Sequence, residues 1–153
     1  MYRTILLAYD GTREGRLALR EGAMLAKTFR SDVVLLAVVE PARVPLAVEV
    51  GVIYVQHEQS EEYQKVLTEG SERLTKLGLA HKTVLKRGDP ATCIADVAKE
   101  ISAELVVIGH HKTGRLARWL NEPVTASLIE TLDCSVLSGK LEVSDDALFG
   151  QPS

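Results

Sequence analysis

The segment Gly109-His110-His111-Lys112-Thr113-Gly114 follows directly on the apolar run Leu105-Val106-Val107-Ile108, and a helical pattern opens soon after at Asn121-Glu122-Pro123. A strand end, a glycine turn and a helix N-terminus together aim backbone N–H groups at one point, which is how open α/β proteins seat a phosphate. Lys112, Arg115 and Arg118 add three cations to the same stretch. They can grip a phosphate through side chains, or they form a solvated basic face paired with acidic neighbours. The residues at the helix opening work against an anion. Glu122 supplies its own negative charge to the positive end of the helix dipole, and Pro123 removes an N–H donor. Lys112 puts a side chain where close approach of the backbone favours glycine.

Asp10, in Tyr9-Asp10-Gly11-Thr12, ends another apolar run beside a glycine turn. Its carboxylate suits a ribose hydroxyl or the orientation of a ligand, and it equally suits a turn at the start of a helix. His110 and His111 are neighbours and point in roughly opposite directions on a strand or turn, so they are poorly placed to share a metal. Loop hydrogen bonding is their expected role. Trp119 can stack on a base, but Leu116 and Leu120 beside it favour packing or a subunit contact. There is no GxxxxGK(S/T) phosphate loop and no nucleophile elbow, and Ser127, Ser135 and Ser138 have no plausible neighbouring base. No catalytic residue is therefore assigned. Cys93 and Cys134 lie in separate apolar stretches without the close Cys/His spacing zinc requires, so both read as reduced structural thiols.

Positioning these groups requires strands. Four runs rich in branched residues, Thr4 to Ala8, Asp32 to Val39, Glu104 to Ile108 and Cys134 to Leu137, are continuously apolar, as parallel strands covered on both faces must be. His81 to Lys86 alternates and predicts a more exposed strand. Amphipathic patterns predict helices over 13–29 with Thr12 as N-cap, over 58–79 with Gly70 as a tolerated flaw and Gly78 at the C-cap, over 91–102 opened by Pro90, and over about 123–131. The alternation implies right-handed crossovers and a doubly wound, mostly parallel sheet of five strands. Ligands then bind beyond the strands' carboxyl ends, where Asp10, the Val38-Val39 end and the Gly109 loop should meet.

Residues 41–56 read as a long apolar connection that covers a site, docks a partner or packs irregularly on its own domain. The stretch from Leu141, with Asp145, Asp146, Gly150 and Pro152, reads as a flexible, solvated tail, so the domain is expected over 1–140 and the tail over 141–153. With 153 residues the chain suits one domain, and a formal charge of −3 provides no basic field for nucleic acid. The apolar stretch Val33 to Val55 is interrupted by Glu40, Pro41, Arg43, Pro45 and Glu49, which argues against a membrane span. The chain enters a strand at once without a signal-peptide layout, so the cytoplasm is the expected compartment.

Five pieces in order, the first strand into Tyr9-Asp10-Gly11-Thr12, Leu35-Leu36-Ala37-Val38-Val39, Arg87-Gly88-Asp89-Pro90, Glu104 to Gly109 and Cys134-Ser135-Val136-Leu137, resemble the universal stress protein family over residues 1–138. The resemblance implies a three-layer Rossmann-like fold of the adenine nucleotide alpha hydrolase-like kind, a homodimer built on the last strand, and a cytoplasmic role in stress survival. Nucleotide-binding members carry a glycine, two residues, a second glycine, nine residues, a third glycine and then Ser or Thr. Gly109 matches the first glycine, while Lys112, Glu122 and Pro123 fall on the other positions. The Gly109-His110-His111 sequence looks like the branch typified by universal stress protein A, described as lacking ATP binding. The family thus implies a vestigial nucleotide site at Ala8, Asp10, Val38, Ile108, Gly109, Lys112, Arg115, Val124 and Thr125, and a dimer edge at Cys134, Ser135, Val136 and Leu137. A non-enzymatic regulatory module without cofactor, with a possible protein partner, is the expected function. The alternatives are an ATP- or AMP-binding protein with slow ATP hydrolysis, and an α/β enzyme acting on another small anion.

Overall fold

The computed structural model describes residues 1–40, 49–109 and 128–150, with 49–59 described by main chain alone. Five strands, β1 (Thr4–Ala8), β2 (Asp32–Val39), β3 (Lys82–Arg87), β4 (Leu105–Gly109) and β5 (Ser135–Gly139), form one sheet in the order β3-β2-β1-β4-β5. All four pairings are parallel. Among the described residues the helices are α1 (Arg13–Phe29), α2 (Glu49–Lys76), α3 (Pro90–Glu100) and α4 (Asp145–Phe149), and residues 128–131 are also helical. This is the α/β Rossmann-like architecture that the alternation of elements predicts.

Period-two alternation along the central strands divides the core. Ile5, Leu7, Val33, Leu35, Ala37, Leu105 and Val107 face α1, α2 and α4, joined by Ala23, Leu74 and Leu148. Leu6, Val34, Leu36, Val38, Val106 and Ile108 face the other way, against Ile94 and Val97 of α3 and Leu128. Leu6 pairs in register with Val34 on one side and Val106 on the other, so three adjacent strands present one apolar row. Because both faces are covered, neither register tolerates a polar residue, which explains the unbroken apolar runs.

Local chemistry sets the helix ends. The Gly15 N–H donates to Thr12 Oγ1 at 3.1 Å to start α1, and the Asp89 carboxylate accepts from the Thr92 N–H at 3.0 Å to start α3, with Pro90 in its first turn. α1 stops at Arg30, which takes the left-handed conformation (φ 54°) while Ser31 N–H bonds back to Ala26 O.

Three expectations differ from the structure. α2 begins at Glu49, not near residue 58, so 49–56 is helix and not an irregular connection. No proline lies between Pro45 and the end of the segment, and a nucleated helix extends readily through β-branched residues such as Val50, Val52 and Ile53. Residues 41–48 lie outside the described residues, as do 123–127 of the expected fourth helix. The segment expected to be a solvated tail from Leu141 instead lies along α1 as far as Phe149, because Leu148 (4% exposed) and Val143 enter the core cluster beside that helix and Lys27 meets the Phe149 ring. The last strand is also displaced, running over Ser135–Gly139 with Cys134 just ahead of it.

Candidate functional site

The chain moves one way from β1 through β2 to β3 and the other way through β4 to β5, so the strand order reverses between β1 and β4. In open α/β sheets the crevice beyond the carboxyl ends at such a point is where ligands bind. Ala8 closes β1, Val38 lies near the end of β2, and Ile108 and Gly109 close β4. Ala8, Val38 and Ile108 belong to the same face of the sheet, the one packed against α3. The structure therefore brings these four sequence-predicted residues to one end of adjacent strands, with Asp10 immediately beyond β1. Lys112, Arg115, Val124 and Thr125, with His110, His111, Arg118, Glu122 and Pro123, lie outside the described residues.

Asp10 is held by the start of α1. Its Oδ1 accepts the Thr12 N–H at 3.1 Å and the Thr12 hydroxyl at 2.7 Å. A side chain on Gly15 would collide with that oxygen, so glycine in the first turn is what lets the carboxylate lie against the helix N-terminus. The turn role therefore operates here, and it fixes the carboxylate at the start of α1, just beyond the end of β1.

Sequence reasoning missed the group next to it. The Tyr9 ring turns to the α1–α2 face, where its hydroxyl donates to Glu69 of α2. Glu69 also accepts from Arg73 Nε, and Arg16 of α1 stands 3.6 Å from the same carboxylate. Burial, followed by the hydrogen bond to Glu69, pushes the Tyr9 phenol up to about 12. Burial is the largest single influence on Glu69 and favours its neutral form. Hydrogen bonds from Tyr9 and Arg73, with the charges of Arg73 and Arg16, together outweigh it and hold the carboxyl below its ordinary value. The hydrogen bond to Glu69 raises Arg73 in turn. At neutral pH this is a fixed donor, a fixed anion and two fixed cations, so the cluster ties β1, α1 and α2 together and moves no proton. Only the i,i+4 spacing of Glu69 and Arg73 was visible locally.

Gly70 belongs to the same arrangement. A Cβ there would lie 2.5 Å from Tyr9 Cδ1 and 2.7 Å from Cε1, so this glycine is where α2 passes over the tyrosine ring and is not a flaw in the helix.

At the opposite end of the sheet a cleft of about 460 Å³ lies between α3 and the lead-in to β5, with Asp96, Lys99, Ser102, Asp133 and Cys134 among its lining residues. Cys134 and Cys93 form no disulfide. Burial raises both thiols, helped by Asp133 for Cys134 and by Asp96 and Asp89 for Cys93, so each stays protonated and a poor nucleophile at neutral pH. Among the described residues no group of three His, Cys, Asp or Glu side chains could hold a metal ion, and no helix is long and apolar enough to cross a membrane.

The two sheet edges differ. β3 carries Lys82, Lys86 and Arg87, charges that discourage strand addition, whereas β5 runs Ser135-Val136-Leu137-Ser138-Gly139 without a charge.

Residues 1–138 match the universal stress protein family. The universal stress protein Sll1654 of Synechocystis sp. is 33% identical over 139 residues, covering 90% of this chain and 85% of that protein. A protein of the universal stress protein family from Burkholderia pseudomallei superposes with a TM-score of 0.68 at 27% identity, over 90% of this chain and 95% of that one. The universal stress protein from Archaeoglobus fulgidus in complex with dAMP shares the fold with a TM-score of 0.67 at 22% identity, over 91% and 98% of the two chains. The family match over residues 1–138 and the 33% identical relative agree, and the chain belongs to the universal stress protein family.

Proposed function

We propose that this chain is a non-enzymatic, homodimeric, cytoplasmic universal stress protein that acts as a regulatory or interaction module with a degenerate nucleotide site. The observation that carries the reading is the sequence after β4. Gly109 is followed by Lys112, Glu122 and Pro123 where phosphate-binding members of the family have glycine, glycine and Ser or Thr. An anion and a proline at these positions of the family pattern would remove both the charge complementarity and a donor that ATP would use. Homodimerisation through Cys134, Ser135, Val136 and Leu137 is supported by the uncharged edge of β5 set against the cationic edge of β3.

The second reading keeps an adenine nucleotide, and the Archaeoglobus relative complexed with dAMP favours it. Asp10, Val38, Gly109, Val124 and Thr125 would surround the adenosine, with Lys112, Arg115 and Arg118 replacing the lost backbone contacts. Slow ATP hydrolysis belongs to this second reading alone.

The discriminating experiment is to denature the purified protein, assay the supernatant for released nucleotide, and titrate the native protein calorimetrically with ATP and AMP. Stoichiometric ATP, or a dissociation constant of about 1–10 μM corresponding to ~7–8 kcal/mol of binding, sinks the first reading. AMP binding as well as ATP means that the adenosine pocket survives without its phosphate seat. Lys112→Gly with Glu122→Gly and Pro123→Ser should then gain affinity for ATP, and no gain refutes the account of the loss.

A further inference from the structure

The family match ends at residue 138, and beyond β5 the chain forms a strap. Residues 140–149 run along α1 and meet four of its side chains, of which Arg13 makes only an exposed pair with Glu142, 3.4 Å from Nη2 to Oε1. The Glu21 carboxylate accepts the N–H groups of Lys140 (3.1 Å) and Leu141 (3.4 Å). Arg20 donates from Nε (3.1 Å) and Nη2 (2.9 Å) to the Val143 carbonyl, and its Nη2 also meets Asp145 Oδ1 at 2.6 Å. Lys27 donates to the Leu148 carbonyl at 2.9 Å and lies over the Phe149 ring, 4.9 Å from its centroid. Leu148 is seated in the core cluster, and Ser144 caps the single turn that delivers it.

Most of these bonds go to main-chain groups of the strap, which any peptide possesses. Selectivity comes chiefly from three side chains, an acid on Arg20, a leucine in the groove and an aromatic ring on Lys27, because the Glu142–Arg13 pair is fully at the surface. The mode of recognition is therefore transferable to another chain. We propose that the α1 face bearing Arg20, Glu21 and Lys27 is a docking site for a partner protein that presents a short acidic segment ending in Leu-Phe, and that residues 140–149 occupy it in cis as an intramolecular competitor. A segment tethered directly to β5 is present at an effective concentration of roughly millimolar, so it excludes a weak external ligand unless released.

The test uses the full chain and a fluorescent peptide of residues 140–150, followed by anisotropy. Leu148→Asp with Phe149→Asp releases the strap but leaves α1 intact. This variant should bind the wild-type peptide at least about tenfold more tightly than the unmodified chain does. A gentler variant, Asp145→Ala with Phe149→Ala, should show a smaller gain in the same direction, which keeps the test decisive if the first does not fold. Adding Arg20→Glu to either variant should abolish the gain, and a peptide carrying Leu148→Asp should not bind. The proposal is overturned if released variants with a native circular dichroism spectrum gain no binding, if the unmodified chain binds the peptide equally well, or if the Leu148→Asp peptide binds as well as the native one. A strap that exchanges between two copies, seen as a dimer lost in the released variants, also overturns closure in cis.

Discussion

Gly70→Ala tests whether contact with the Tyr9 ring or helix propensity decides that position. In a helix interior, alanine is worth about 1 kcal/mol over glycine, so propensity alone predicts stabilisation. The new Cβ would stand 2.5 and 2.7 Å from two carbons of the Tyr9 ring, and 3.1 Å from Leu35 Cδ2, well inside the roughly 3.5–4.0 Å of a good carbon contact. The ring has little room to yield. It is 3% exposed, its own N–H is bonded to Leu36 O at 2.9 Å, and its hydroxyl is bound to Glu69. Overpacking of this kind costs about 1–3 kcal/mol, and with both ends of the tyrosine anchored the upper half of that range applies, leaving a net loss of roughly 1–2 kcal/mol. For a chain of this size that lowers Tm by about 2–8 °C. Thermal and urea unfolding followed by circular dichroism, at one protein concentration, provide the measurement. In a Tyr9→Ala background the two ring collisions are gone and only the milder Leu35 contact remains, into space the ring has vacated, so the same Gly70→Ala change should stabilise by up to about 1 kcal/mol. Stabilisation in the wild-type background, or an equal loss in both, refutes the reasoning.

Other consequences can be measured on the same material. Arg30 (φ 54°) and Ser102 (φ 52°) hold left-handed positions at helix ends, so Arg30→Gly and Ser102→Gly should each stabilise by about 1 kcal/mol in urea unfolding. One of the four tyrosines should ionise only near pH 12 in an ultraviolet titration, and Tyr9→Phe should remove that step. A phenol whose folded value lies above its ordinary value of 10.0 contributes stability that is complete below pH 10 and is lost as pH rises towards 12. The Glu69 carboxyl is depressed, so its contribution is complete above pH 4.5 and is lost as pH falls further, and Glu69→Gln should flatten the acid limb of the stability profile. Asp10→Asn keeps an oxygen for Thr12 and should cost less than about 1 kcal/mol, while Asp10→Ala, which leaves the Thr12 N–H without its acceptor, should cost about 1–2 kcal/mol by thermal unfolding. Val136→Lys gives β5 the character of the β3 edge and should yield monomer in sedimentation with an unchanged circular dichroism spectrum; a persistent dimer removes β5 from the interface.

The central strands were legible because burial on two faces leaves an unbroken apolar run, and β1 and β2 run over the residues that this pattern picks out. Caps were legible for a related reason: Thr12 and the Asp89-Pro90 pair act within three or four residues of themselves. Gly70 was not, since its cause is a tyrosine on another element, and a glycine inside a helical pattern looks the same whether it is required or merely tolerated. Tyr9 and Glu69, sixty positions apart, share no local pattern either. The first turns of α2 were hidden by β-branched residues whose propensity is weak enough for context to override it. Polar composition concealed the strap, which meets the fold through Val143 and Leu148 and through Arg13, Arg20, Glu21 and Lys27 of α1. In the crevice, the residues on strand ends, Ala8, Val38, Ile108 and Gly109, are given by the strand pattern, and Asp10 by the turn.

The elements that assemble this crevice do not depend on what occupies it. Ala8, Val38 and Ile108 are aligned by two apolar clusters and by the parallel registers of β1, β2 and β4, and Asp10 is oriented by Thr12 and Gly15. Lys112, Glu122 and Pro123 stand where the nucleotide-binding pattern has Gly, Gly and Ser or Thr, while the sheet, the caps at Thr12 and Asp89 and the Tyr9–Glu69–Arg73 cluster are all present. For the same reason, likeness of fold to a relative that holds dAMP and likeness of sequence along residues 1–138 are both compatible with a lost phosphate seat. Sheet packing fixes the strand ends beyond which ligands bind in such folds, and under the proposed reading the residue types after Gly109 decide whether a phosphate can sit there. The two are separable because a buried strand is selected for its apolar volume, whereas a helix N-terminus that receives an anion is selected for its unblocked N–H groups.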